Sequence, residues 1–137
     1  MEVIERNSVR FYQNLGKLFY AIAASDKVVR KIEHSRLKEI VKKEWILVDD
    51  FEDDFHTDAA YQIEVVFDWL YNEEKLDAER WFTSFLEFKN SHEQLFNDTI
   101  KALILKTADS IASSFSGKNK SELIMLAKLN LNFKETS

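Results

Sequence analysis

Apolar residues recur at helical spacing along most of the chain. Phe11, Leu15, Leu18 and Ile22 fall at i, i+4, i+7 and i+11, which predicts a helix with one apolar stripe up to about Ala24. Leu37, Ile40 and Val41, with Val48 just beyond, share a face of a second helix over about 29–47. The pattern breaks in "VDDFEDDFHTD", 48–58, which reads as an acidic loop. Thr57 or Asp58 can cap a third helix, "AAYQIEVVFDWLY", with Ile63, Val66, Phe67 and Leu70 inward. A boundary at Asn72–Asp77 precedes a fourth, "AERWFTSFLEF". "SHEQ" at 91–94 has the form of a capping box and predicts the start of a fifth, carrying Phe96, Ile100, Leu103, Thr107 and Ile111. "NKSE" at 119–122 opens a last helix with Leu123, Leu126 and Leu129. The pattern predicts an all-α fold, a compact bundle of about six helices in a single domain over 1–137.

Composition supports helices over strands. The chain has no proline and two glycines, Gly16 and Gly117, too few for the turns of a strand-rich fold. Apolar residues make up 45% of its 137 residues, ample for a core. Without cysteine there is no disulfide, thiolate metal site or Cys nucleophile. The charged N-terminal stretch is unlike a signal peptide, and no apolar run approaches a membrane span, so the expectation is a soluble cytoplasmic protein.

The net charge of −5 is unevenly spread: +4 over residues 1–48, −12 over 49–98 and +3 over 99–137. Such asymmetry marks faces with different partners, or segments whose charges interleave on folding. Lys27, Arg30, Lys31, Arg36, Lys38, Lys42 and Lys43 form a basic stretch. A pI near 5.3 and the lack of a recognised binding motif argue against nucleic acid as its partner. His34, His56 and His92 lie far apart, with no H-x-x-x-H pair, nucleophile elbow or glycine-rich phosphate loop, so the expectation is not an enzyme.

The chain also repeats itself weakly. Ile22-Ala23-Ala24-Ser25 aligns with Ile111-Ala112-Ser113-Ser114, and without a gap Glu33 then meets Glu122, Leu37 meets Leu126 and Ile40 meets Leu129. Each copy is a helix ending in small residues, a turn, and a helix with Glu near its start. The expectation is two pseudo-repeated helix-turn-helix halves whose small residues let backbones cross closely.

The first copy, "AIAASDKVVRKIE", resembles the motif of the TerB-like family, named for bacterial tellurite-resistance proteins, which reads roughly A-x-A-A-D-G-x-V-S-x-x-E. With Ser25 as one extra residue before Asp26, Ala21, Ala23, Ala24, Asp26, Val29 and Glu33 match it; Lys27 stands at the motif's Gly and Arg30 at its Ser. The second copy keeps Ala112 and Glu122 but has Phe115 at the Asp position. The resemblance implies an all-helical domain with two halves about a pseudo-twofold, acting without enzymatic activity in a stress response and binding a divalent cation through acidic residues.

Asp26, Glu33 and Glu122 are the carboxylates at the motif positions, candidate ligands for Ca2+ or another hard divalent cation, which takes oxygen donors. The plainer reading gives Glu33 the amides at the start of its helix and Asp26 the closing of the turn. Asp50 and Asp54 in the acidic loop are further candidate ligands. Started at Asp50, an EF-hand loop would put Phe55 at the glycine position and Tyr61 at the bidentate glutamate, so the loop is no EF-hand. Glu33 and Glu44 also lie along the Leu37–Ile40 stripe, where a carboxylate needs a partner from the other half, a metal, or an edge position in water. Residues 67–88 carry Phe67, Trp69, Tyr71, Trp81, Phe82, Phe85 and Phe88, more rings than one face accommodates. Trp69, Tyr71, Trp81 and Phe88 are therefore candidates for contact with a protein partner or a second copy in a homo-oligomer, the alternative being a large aromatic core.

Overall fold

A computed structural model of the chain describes residues 2–45, 60–73, 75–113 and 120–135, with side chains from Val9 to Lys134 within those ranges. Its α-helices are α1 (Glu2–Ala23), α2 (Lys31–Ile40), α3 (Gln62–Asn72), α4 (Ala78–Ser91), α5 (Asp98–Ala112) and α6 (Lys120–Glu135). Among the described residues there is no strand, and no helix is long and apolar enough to cross a membrane. The molecule is an all-α bundle.

The long α1 is its axis. It packs most extensively against α3 and α4 and also touches α5 and α6, while α2 lies on α5 and α3 and α5 packs on α6. The expected stripe of Phe11, Leu15, Leu18 and Ile22 is buried, but so are Phe19, Tyr20 and Ala21 beside it, because α1 is enclosed on several sides. Gly16 is where α1 and α3 come nearest. A Cβ there would lie 2.7 Å from the Ile63 carbonyl oxygen and 2.9 Å from Val66 Cβ. Only a residue without a side chain allows that approach.

Two helix boundaries differ from those the sequence suggests. The helix starting at Lys31 does not run on as an α-helix: Val41–Trp45 form a π-helical turn. The wider turn carries Glu44 off the apolar face to Lys106 Nζ at 2.6 Å, and Trp45 is fully buried, donating from Nε1 to Thr107 Oγ1 at 3.0 Å. Nor does "SHEQ" open a helix. Ser91 ends α4, its hydroxyl donating to the Glu87 carbonyl, and Glu93–Leu95 form a 3-10 turn. Phe96 plugs the core against Phe11 and Phe85, and α5 begins only at Asp98, capped by Asn97, whose side chain accepts from the Ile100 amide at 2.8 Å.

The two helix-turn-helix halves are intertwined. The first helix of each touches the second helix of the other, α1 on α6 and α2 on α5, and α1 crosses α5. Ala21, Ala23, Ala24, Ala108 and Ala112 are all buried.

Candidate functional site

The turn between α1 and α2 is built by Asp26. Its Oδ1 accepts from the Val28 amide at 3.2 Å and its Oδ2 from the Arg30 guanidinium at 3.0 Å. Lys27 sits inside this turn at φ 67°, the left-handed conformation that glycine adopts freely and a side chain does not. The position where the TerB-like motif has Gly is thus occupied by a strained lysine. Lys27→Gly is expected to raise stability by about 1 kcal/mol, since the relief of strain exceeds the added freedom of the unfolded chain. Urea denaturation checks this, and an unchanged midpoint would show that the turn holds Lys27 without strain.

Arg30 stands where the motif has its capping Ser, and it caps differently. Its backbone N–H donates to Glu33 Oε1 at 2.8 Å, while its guanidinium lies 3.6 Å from the same oxygen and bonds Asp26. Glu33 therefore does what the plainer reading expects, closing the N-terminus of α2 from its third position. It does so while 1% exposed, and Glu122, two residues into α6, is 2% exposed beside it. The carboxyls of Glu33 and Glu122 hydrogen-bond each other. Residues matched by the internal repeat thus meet in space where the second helices of the two halves converge.

Burial, the neighbouring Glu122 charge and that hydrogen bond push the Glu33 carboxyl up to about 8, against the pull of the Arg30 amide and guanidinium. The upward shift favours the protonated form of Glu33, which can donate across the pair. The Asp26 hydrogen bond is the main cause of the raised Arg30 pKa, with the Asp26, Glu33 and Glu122 charges adding to it. The donor set consists of carboxylate oxygens with an arginine alongside. Its chemistry fits a hard cation better than a soft one. Among the described residues no three His, Asp or Glu side chains gather as a metal site, and Asp26 bonds the Arg30 guanidinium and the Val28 amide. Asp50 and Asp54 lie outside the described residues.

The rings expected at a partner surface divide. Trp69 is 53% exposed on α3, one turn from Val65 at 52%. Tyr71 is half-buried against the His34 ring at 5.0 Å. Trp81 and Phe88 are largely buried core residues, as the alternative of a large aromatic core expects. Trp81 donates from Nε1 to the Lys75 carbonyl at 2.9 Å, and Phe88 stacks on His92 at 4.2 Å.

Two features went unread in the sequence. Arg30 was a departure from a motif, and its service to both Asp26 and Glu33 depends on how the turn folds. His34 hydrogen-bonds Asp68 and stacks on Phe67 at 5.4 Å, tying α2 to α3; no spacing rule links positions 34 apart. Compared with known proteins, the chain matches no family model, no curated protein and no solved structure.

Proposed function

We propose that this chain is a non-enzymatic, TerB-like module of a bacterial stress response that answers to a divalent cation through the Glu33–Glu122 pair. The meeting of two buried carboxyls, one from each half, carries the reading. Such a pair is costly when ionised unless a proton or a cation lies between its members. A proton serves at lower pH, and a hard cation would serve at higher pH. Mg2+ is bound by one or two carboxylates with water completing its shell, and Ca2+ takes six to eight oxygens. Glu33 and Glu122 would hold the ion, backbone carbonyls and water would complete its shell, and Arg30 would release Glu33 toward it. Asp26 then acts on the site only through Arg30.

Thermal unfolding of metal-stripped protein at pH 8, with and without millimolar Ca2+, Mg2+, Mn2+ or Zn2+, tests this. One ion should stabilise saturably, by about 2.7 kcal/mol at a hundredfold excess over Kd. The Glu33→Gln, Glu122→Gln double variant should lose that gain. A flat response to all four ions sinks the proposal, and a gain that survives the double variant moves the site elsewhere, with the 49–58 segment first in line.

The exposed Val65–Trp69 pair favours a second reading, a metal-independent scaffold or homo-oligomer. Under it, sedimentation in EDTA would show self-association that Trp69→Ser abolishes.

A further inference from the structure

The surface between α1, α3 and α4 holds an open groove of about 560 Å³, within the size range of small-molecule sites. Arg10 and Lys17 line it from α1, Val66 and Trp69 from α3, Ser84 and Phe88 from α4. Its cations lack ion pairs. Several basic side chains elsewhere find carboxylates: Arg30, Arg36, Lys43, Lys106 and Lys128 each have one at 2.6–3.7 Å. At the groove they do not. Arg10 lies over the Phe88 ring at 5.4 Å and Lys17 donates to Ser84 Oγ at 3.3 Å. Beyond the Ser84–Glu87 edge, Arg80 lines a neighbouring depression and lies over the Trp81 ring at 5.0 Å. Among the described residues none of the three has a carboxylate within ion-pair distance, and the exposed Glu87 on the rim pairs with none of them.

These cations also oppose one another. Burial lowers the Lys17 pKa first, and the charges of Arg10 and Arg80 lower it further. A protein of net charge −5 has carboxylates to spare for neutralising such a cluster, yet none among the described residues pairs with it. A multiply charged anion would relieve the repulsion, and guanidinium forks suit the oxygens of a phosphate. Beside the cations, on another wall of the same groove, the exposed indole of Trp69 presents a stacking face next to Val66.

We propose that this groove binds a phosphorylated small molecule carrying a flat ring, the chemistry of a mononucleotide. The phosphate sits between Arg10 and Lys17, with Arg80 beyond the Ser84 edge, and the ring lies on Trp69. The proposal is independent of the carboxyl pair and needs no metal.

Isothermal titration of the full chain with AMP in EDTA tests it, with adenosine and inorganic phosphate as separate probes. AMP should bind saturably, and each fragment at least about tenfold more weakly, because each makes only half of the contacts. Arg10→Gln with Lys17→Gln should weaken AMP at least about tenfold. The melting temperature should hold or rise, since the substitutions remove repulsion. Trp69→Ser should weaken AMP by a similar factor and leave phosphate unchanged. No saturable heat with AMP up to several millimolar overturns the proposal. So does AMP binding that ignores Arg10 and Lys17. Phosphate binding as tightly as AMP would overturn the ring's place on Trp69.

Discussion

Gly16→Ala is expected to cost the fold about 2 kcal/mol and to lower Tm by roughly 6–10 °C, although alanine is the better helix former. The added methyl would have to occupy space 2.7 Å from the Ile63 carbonyl oxygen and 2.9 Å from Val66 Cβ. The first of these is backbone inside α3, so no rotamer change clears it. The helices must separate along their closest contact, and that separation loosens Leu15, Phe19, Ile63 and Phe67 together. The gain in helix propensity, at most about 1 kcal/mol, offsets only part of that loss. Thermal and urea denaturation monitored by circular dichroism decide it. An alanine variant as stable as the parent would show that α1 and α3 are not locked at this distance.

The second large effect is on the pH dependence of stability. Glu33 has its carboxyl raised from 4.5 to about 8 by burial beside Glu122, so between those values the folded chain holds a proton that the unfolded chain has released. The stability this proton contributes is intact below the unfolded value and is lost as pH climbs through about 8. The fall across this window is on the order of 5 kcal/mol, and hydrogen bonding within the pair makes Glu122 a party to it. Glu33→Gln removes the ionisable group and keeps a side chain that can bond both Glu122 and the Arg30 amide. It should flatten the profile and leave the variant more stable than the parent at pH 8.5 but not at pH 5. Urea midpoints across that range read the difference. Parallel profiles for the two proteins would mean that Glu33 is ionised within the fold and matched by Arg30.

Much of the architecture was legible because periodicity reports burial. Leu37, Ile40, Ile63, Phe67 and Leu70 all lie inward, as their spacing requires. The fifth helix was misplaced because 91–98 holds two caps in succession. Ser91 with Gln94 satisfies the capping pattern, but anchoring Phe96 in the core defers the helix to Asn97. The burial of Trp81 and Phe88 could have been read: 81, 85 and 88 fall on one helical face, and counting rings across α3 and α4 together hid it. The Glu33–Glu122 meeting was foreshadowed by a gapless alignment of the two copies. The unpaired cations of Arg10, Lys17 and Arg80 were not, because matching charges to partners requires knowing which helices touch.

Trp45 fills space beside Tyr12 and Phe19 of its own half yet bonds Thr107 of the other, while α1 leans on α6 and α2 on α5. Neither half can then close its apolar surface alone. Cut into two fragments, the chain should give peptides that fold only when mixed.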